Sequence, residues 1–384
     1  MAGEIPHYVN PAPFDPAAGE TMSAREERYY RASSLRLIWW KFRTHRLALL
    51  ALVLLGTLYV TLPFVEVIAP YGLQSRHGDH IYAPPQRVHL FHDGDFVGPF
   101  VYAYRFEFDR EKFQRRYVSD ESTPQPLRFF CRGEPYRLWG LFDADFHLLC
   151  PPSGGTAFLL GTDRLGRDML SRITYGARIS LTVGLVGIAI SFALGLTLGG
   201  LAGYLGGSVD YLVQRVIEIL RSLPELPLWL ALSAALPAHW SPILVFFGIT
   251  LILGLLDWPG LALAVRAKLL SLRAEDYVRA AELIGASRRR IIARHLIPNF
   301  MSHLIASATL SIPAMILGET ALSFLGLGLR PPVTSWGVLL NEAQNLAAVT
   351  LYPWLLVPMI PVMATVLAFN FLGDGLRDAA DPYS

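Results

Sequence analysis

Long apolar runs separated by short polar segments constrain this chain more than any other feature. The first run, residues 47–69, would form a helix of roughly 35 Å at ~1.5 Å per residue, enough to cross a bilayer with some tilt. Further runs follow at about 179–203, 211–236, 242–265, 300–328 and 351–373. Because a backbone in lipid must satisfy its own hydrogen bonds, such runs form helices. The sequence predicts an all-α polytopic membrane protein with six transmembrane helices.

Composition supports this class of protein. Of the 384 residues, 53% are hydrophobic and 17% are charged, and the mean hydropathy is +0.38. These values exclude a disordered chain and disfavour a soluble domain. The formal net charge of only +2 gives no reason to expect a nucleic-acid partner. Residues 1–22 are polar and lack the apolar core of a signal peptide, so the first run is expected to remain as an anchor.

Basic residues predict which side of the membrane each loop occupies. Residues 25–46 carry seven Lys or Arg against two acidic residues, and 266–294 carry eight against three. Loop 329–350 contains only Arg330 and Glu342 as charged residues. The positive-inside rule therefore places both termini and the 266–299 loop in the cytoplasm. Residues 1–46 are interpreted as a cytoplasmic tail with an interfacial lipid-binding helix, or simply as a topology signal.

The long segment between the first two runs has a different pattern. Aromatic residues alternate with other types over 100–108, which is typical of a strand, and 127–140 is interpreted as two short strands around Gly133. We therefore expect a small β-rich insertion over about 80–152. It contains Cys131 and Cys150, which would form a disulfide in an oxidising periplasm or remain as two packed thiols.

The polar segment 277–298 lies between two apolar runs and reads YVRAAELIGASRRRIIARHLIP. It predicts a helix with Tyr277, Ala280, Ala281 and Ile284 on one face, a turn at Gly285 and a second short helix. Such a helix–turn–helix between spans favours contact with a cytoplasmic partner. The alternative is a basic connector that only fixes topology.

This segment resembles the coupling loop of ATP-binding-cassette (ABC) importer permeases, written E-A-A, three residues, G, nine residues, I-x-L-P. Arg279 stands at the glutamate position and His295 at the isoleucine position of that pattern. The resemblance implies that an ATPase contacts a set of residues in the loop: Tyr277, Arg279, Ala280, Ala281, Gly285, Ala286, His295 and Pro298.

A second motif, GTDRLGRDMLSRITYGARISL at 161–181, resembles the second permease subunit of dipeptide, oligopeptide and nickel importers. Physically, Thr162 or Asp163 is predicted to cap a helix starting near Leu165, and Asp168 and Arg172 are spaced for an i,i+4 ion pair. The motif would either brace the second span or contact a binding protein or substrate.

The resemblance implies a type I ABC importer permease fold in a bacterial inner membrane, most consistent with peptide transport. Its implied partners are a homologous permease subunit, two ATP-binding subunits that bind ATP and Mg²⁺, and a periplasmic substrate-binding protein. The chain itself has no Gly-Lys dipeptide, hence no phosphate loop, and no catalytic or metal motif, so we expect a translocation subunit that is not an enzyme. Nickel, opines or oligosaccharides are alternative substrates. A stand-alone channel or secondary carrier is the alternative of a different class.

Within the spans, small residues recur every fourth position from Gly187 to Gly203, which predicts close helix packing, with a substrate path as the alternative. Glu319 lies well inside the fifth run, where it would line a pathway or be hydrogen-bonded in packing. Asp257 is expected near the cytoplasmic end of its run. The predicted organisation is a tail (1–46), a first span (47–69), an insertion (70–159) and a permease core (160–384).

Overall fold

The computed structural model of the chain describes residues 32, 34–109, 114–273, 275–287, 290–291, 300–330 and 332–380. Within them, five helical segments are long and apolar enough to cross a membrane: Arg46–Ile68, Met169–Leu205, Pro242–Leu272, His303–Phe324 and Pro353–Ala380. The prediction of a helical membrane protein is confirmed.

The main helices alternate with short connecting helices. They are α1 Ser34–Phe42, α2 Arg46–Thr61, α3 Val65–Ile68, α4 Met169–Leu205, α5 Gly207–Ser222, α6 Glu225–Ala234, α7 Pro242–Leu272, α8 Asp276–Leu283, α9 Met301–Phe324, α10 Trp336–Asn341, α11 Leu346–Leu351 and α12 Met359–Ala380. The strands are β1 His89–His92, β2 Asp95–Asp109, β3 Gln114–Pro126, β4 Arg128–Leu138 and β5 Phe142–Cys150.

The glycine stripe of α4 packs directly against α7. A Cβ at Gly199 would lie 2.5 Å from the carbonyl oxygen of Ala262, and one at Gly203 would lie 2.9 Å from that of Arg266. Gly187 lies beside Gly254 in the same way. Because the residue numbers of both helices increase together along this contact, α4 and α7 are parallel. The predicted packing role of the stripe is confirmed.

Two parallel spans require the chain to return across the membrane between them, and α5 and α6 make that crossing. Asp210 at the start of α5 accepts two hydrogen bonds from Arg266, at 2.5 and 2.6 Å, whereas Leu236 just after α6 lies beside Gly248. The predicted run 211–236 is therefore one crossing, but not one continuous helix. Leu223 is extended (ψ 138°) because the following Pro224 disfavours helical backbone at that position.

The remaining spans surround α4 on its other side. Buried side chains of α2, α4, α9 and α12 form one apolar cluster, represented by Leu55, Leu181, Ile316 and Phe369. Gly375 of α12 lies beside Ala48 of α2, so the beginning of the first span and the end of the last one are neighbours. Gly373 of α12 also lies beside Leu310 in the first half of α9, and the beginning of α9 packs against α8. The described ends of the chain therefore lie at the same end of the molecule as α8.

A β lobe, residues 89–150, lies at the opposite end. Strands β1, β2 and β3 form an antiparallel sheet in that order, and β4 pairs with β5 in a separate hairpin. The prediction of two short strands over 127–140 was wrong in detail. Residues 128–138 form one strand whose pairing is irregular between Arg132 and Tyr136, because Pro135 has no N–H to donate to the partner strand. In this stretch Glu134 accepts a hydrogen bond from the backbone N–H of Gly72. A disulfide joins Cys131 to Cys150 across the hairpin.

Candidate functional site

Helix α8 follows the long span α7 and ends in a glycine turn. The N–H of Ala286 donates to the carbonyl of Ala281 at 3.0 Å, and Gly285 between them has φ +79°. This six-to-one hydrogen bond across a left-handed residue is a Schellman C-cap, which glycine adopts without the strain of a Cβ. The helix therefore ends at Gly285, where the sequence predicts the turn.

One face of α8 is packed against the spans. Val278, Ala281 and Ile291 are buried in a single cluster with apolar residues from the end of α7 and the beginning of α9: Leu261, Val265, Leu269, Phe300 and Leu304. Ala286 is partly buried against the same cluster. A displacement of α8 must therefore move the ends of two spans with it, because a close-packed cluster does not deform freely.

The opposite face of α8 is open. Leu283 and Ile284 are 88% and 85% exposed, and Arg279 and Ala280 are exposed beside them. The expectation that Ala280 and Ala281 share a face was wrong. Neighbouring helical residues are about 100° apart, and the packing against α7 selects Ala281 for the buried side and leaves Ala280 outside.

Two predicted contact residues of the loop, His295 and Pro298, lie outside the described residues, as does most of the predicted second short helix. Tyr277 is 39% exposed. Thus the structure brings Tyr277, Arg279 and Ala280 to one open surface together with Leu283 and Ile284. The last two were missed as site residues by the sequence argument, although their apolar character directly before a glycine turn was a usable signal.

A polar cavity of about 320 Å³ lies where the third crossing is broken. Its lining includes Arg221, Glu225 and Trp229 from the third crossing and Asp257 from α7. Asp257 was expected near an end of its helix, but it lies in the middle of α7 and accepts a hydrogen bond from Ser191 of α4 at 2.8 Å. The sequence signal for this cavity was the Pro224–Pro227 pair, which opens the helix and leaves room for polar groups.

Glu319 of α9 is fully buried rather than exposed to that cavity. It accepts hydrogen bonds from Ser180 of α4 at 3.2 Å and from Ser323 at 2.7 Å. Ser180 also accepts from the N–H of Trp336 in α10 at 3.1 Å. The carboxyl group thus links α9 to α4 and, through Ser180, to α10. This agrees with the alternative in which Glu319 is hydrogen-bonded in helix packing.

The 161–181 motif forms a buried charged cluster. Asp163 accepts from Arg167 Nε at 2.6 Å and also from Arg172 Nη1, and Arg172 Nη1 lies 3.2 Å from Glu342. The predicted Asp168–Arg172 ion pair was wrong, because Asp168 instead caps α4 by accepting from the N–H of Ser171 at 2.7 Å.

The start of the helix was also predicted four residues too early. Helix α4 begins at Met169, while Asp163 holds the preceding loop by accepting from the N–H groups of Leu165 and Arg167 at 2.7 and 2.9 Å. Burial raises the pKa of Asp168 to about 6. The buried arrangement agrees with the bracing interpretation of the motif.

Metal-binding chemistry has no geometric basis in the part of the chain that the structure describes. No group of three or more His, Cys, Asp or Glu side chains there is arranged to hold a metal ion.

Comparison with known proteins places these features in a family. A family model described as "Binding-protein-dependent transport system inner membrane component" matches residues 195–383, which include α7, α8 and α9. A second model, "N-terminal TM domain of oligopeptide transport permease C", matches residues 33–85.

Curated relatives align with this chain over most of their own length. The Haemophilus influenzae oligopeptide transport system permease protein OppC is 41% identical over 243 residues, which are 62% of this chain and 75% of the relative. The Bacillus subtilis dipeptide transport system permease protein DppC is 42% identical over 234 residues, covering 60% and 70%. The Pseudomonas aeruginosa di/tripeptide permease protein DppC is 41% identical over 241 residues, covering 61% and 77%.

A solved structure of the MetNI methionine ABC transporter in an inward-facing conformation matches at 18% identity with a TM-score of 0.44, covering 56% of this chain and 98% of that one. The identity and coverage of the curated relatives decide the assignment. The chain belongs to the family of binding-protein-dependent transport system inner membrane components, the permease subunits of ABC importers.

Proposed function

We propose that this chain forms half of the translocation pathway of an ATP-driven peptide importer in a bacterial inner membrane. The relatives named as oligopeptide and dipeptide permease proteins support the substrate class. The cavity lined by Arg221, Glu225 and Asp257 carries groups of both signs, which complement the two charged ends of a peptide. A homologous permease subunit would supply the other half, and a periplasmic binding protein would deliver the peptide.

The two-faced helix α8 is the observation that carries the coupling role. Leu283 and Ile284 present an apolar surface to a partner, while Val278 and Ala281 fix the same helix to α7 and α9. The partner is an ATPase subunit that binds ATP and Mg²⁺, and two such subunits would serve the permease pair. Movement of the ATPase against Leu283 would be transmitted to the spans as rigid displacement, because a packed element shifts between discrete arrangements.

Transmission continues from α7 to the pathway. Asp257 of α7 lines the cavity, and α7 packs along the glycine stripe of α4 from Gly254 to Arg266. A shift of the α7 end at Leu269 therefore displaces the wall of the cavity relative to Glu225 and the broken third crossing. In this mechanism α8, with both chain termini, lies in the cytoplasm, as the basic loops indicate, and the β lobe lies in the periplasm.

Peptide uptake by the reconstituted transporter tests the proposed function. Proteoliposomes containing this chain, its permease partner and the ATPases should accumulate labelled peptide only with ATP on the ATPase side and the binding protein outside. Accumulation without the ATPases would contradict the proposal and favour a channel or secondary carrier. ATP-dependent uptake of nickel, an opine or an oligosaccharide with no uptake of peptide would contradict the substrate class.

Ala280 and Ala281 offer a matched pair for the two faces of α8. Ala280→Glu places a carboxylate on the open face, so stability should change by less than about 0.5 kcal/mol while ATPase binding is lost. Ala281→Glu places it in the apolar cluster, where an unpaired buried charge costs about 3–5 kcal/mol. Thermal unfolding and ATPase co-purification separate the outcomes. Equal destabilisation by the two substitutions would contradict the assigned faces.

A further inference from the structure

The tip of the β4–β5 hairpin exposes large apolar side chains that the transport mechanism does not use. Trp139, Leu141 and Phe142 are 50%, 70% and 59% exposed. They follow one another at the turn between the two strands. A contiguous exposed apolar cluster marks a candidate surface for contact with a membrane or another protein.

Contacts between the hairpin and the first span show the direction in which the tip points. At the base of the hairpin, Nδ1 of His147 lies 2.7 Å from the carbonyl oxygen of Ala69. At the tip, Nε1 of Trp139 donates to the carbonyl of Pro63 at 2.8 Å. Six helical residues correspond to roughly 9 Å. The hairpin therefore runs back along the first span, and its tip lies closer to the middle of the membrane than its base.

The level of Pro63 in the bilayer follows from the length of the span. Arg46 begins the span, and Pro63 is roughly 26 Å further along it at ~1.5 Å per residue, against a hydrocarbon thickness of ~30 Å. Val60 and Phe64 beside it are exposed apolar residues of the same span. One turn further out, Glu66 accepts two hydrogen bonds from Arg178 at 2.7 and 2.6 Å, a charged pair that suits the headgroup region. Trp139 thus meets the span at the boundary between hydrocarbon and headgroups.

The backbone at the tip forms a tight hairpin turn in which the N–H of Leu141 donates to the carbonyl of Leu138 at 3.0 Å. Trp139 has φ +54° and Gly140 has φ +73°. A bulky residue in the left-handed region is strained and persists only where its surroundings fix it. Here the hydrogen bond to Pro63 fixes the indole. Tryptophan is enriched at membrane interfaces because its ring is apolar and its N–H is a donor.

We propose that this hairpin tip is a membrane anchor of the β lobe, with Trp139 among the lipid headgroups and Leu141 and Phe142 in the outer edge of the acyl chains. The lipid-facing surface of the first span continues through Val60 and Phe64 onto the tip, so one lipid surface covers both. The inference rests on membrane insertion of the first span and on neither the transported substrate nor the ATPase contact. Its failure is therefore distinguishable from failure of the proposed function.

Site-directed nitroxide labelling of the full chain in the assembled transporter tests the anchor. The native cysteines form a disulfide, so Leu141→Cys or Phe142→Cys supplies the only thiol among the described residues under non-reducing conditions. The control is Arg105→Cys in β2, whose side chain is 76% exposed and whose sheet packs on segment 78–86 through Gln86. The samples are nanodiscs of phosphatidylcholine and phosphatidylglycerol.

At 141 and 142 we expect greater relaxation of the label by oxygen, which concentrates in lipid, than by a water-soluble nickel chelate. At 105 the order should be reversed. Nickel accessibility at 141 and 142 equal to that at 105 would overturn the proposal. Labels shielded from both reagents would also overturn it, because that result means that a protein partner covers the tip.

Discussion

The buried charged cluster at the mouth of α4 gives the sharpest stability prediction. Among its buried members, Asp163 and Glu342 balance Arg167 and Arg172, while the exposed Arg164 also lies 3.9 Å from Glu342. Asp163→Asn removes one negative charge and leaves two guanidinium groups facing a single carboxylate. Removal of one partner from a buried pair costs about 3–5 kcal/mol, because the remaining charge stays desolvated. That is a large fraction of the ~5–15 kcal/mol that separates folded from unfolded states of typical proteins.

An exposed ion pair in the same chain provides the control. Arg132 and Asp145 lie 3.9 Å apart in the β lobe with most of the arginine side chain in solvent. Arg132→Gln should therefore change stability by only about 0–1 kcal/mol. Unfolding of the two variants in identical detergent micelles, titrated with dodecyl sulfate and followed by tryptophan fluorescence, gives both free energies. A loss of less than about 1 kcal/mol for Asp163→Asn, equal to that of the control, would refute the assignment of a coupled buried cluster.

A double variant tests whether the cluster acts as a unit. Asp163→Asn combined with Arg172→Gln restores charge balance, so its cost should be smaller than the sum of the two single costs by about 0.5–3 kcal/mol. Additive effects would mean that the two side chains do not interact, contrary to the hydrogen bond between them.

Two further predictions concern the second span. Gly199→Leu should abolish stable folding, because a Cβ at that position would lie 2.5 Å from a carbonyl oxygen of α7. Gly56→Leu in the first span should be tolerated, because nothing lies within 4 Å of its Cβ. The yields of monodisperse protein purified from membranes compare the two variants. Burial raises the pKa of Asp168 to about 6 from a usual value near 4, so the stability that its protonated form contributes is fully present below about pH 4 and is lost as the pH rises through about 6. Asp168→Asn should flatten this dependence in thermal unfolding between those pH values, and an unchanged pH profile would contradict the assignment.

Much of the fold could be predicted because membrane burial leaves a strong signal in sequence. Apolar length identified each crossing, and the small residues from Gly187 to Gly203 identified a close helix contact before its partner was known. The third crossing was harder. Its mean composition resembled one span, but Pro224 forces extended backbone at Leu223 and divides the crossing in two. A proline pair inside an apolar run therefore says more about the pathway than the average hydropathy of the run.

Partners distant in sequence account for most of what could not be predicted. The local i,i+4 rule favoured Asp168 as the partner of Arg172, but the real partners are Asp163 in the preceding loop and Glu342, which is far along the chain. Only the fold of the connection after α9 brings Glu342 to this site. The spacing rule describes an isolated helix, whereas Asp168 is engaged in capping that helix.

The loop helix shows the same limit at the functional surface. Sequence spacing predicted a helix that ends at Gly285, and the C-cap there agrees with it. The choice between Ala280 and Ala281 for the open face depends on Val278 and on the spans beneath, which no local pattern encodes. Leu283 and Ile284 are the most exposed side chains of this face and directly precede the turn. The sequence motif did not identify them as contact residues.

The central claim is that the open face of α8 binds the ATPase, and retention of the ATPase by a single variant tests it most directly. Leu283→Asp replaces the most exposed apolar side chain of that face, and Leu346→Asp, at a site 81% exposed on α11, is the matched control. The permease pair is purified from membranes through a tag on this chain, and the stoichiometry of bound ATPase is measured. We predict that Leu283→Asp lowers the bound ATPase at least tenfold, which corresponds to about 1.4 kcal/mol, while Leu346→Asp leaves it unchanged. Equal ATPase retention by the two variants would contradict the account.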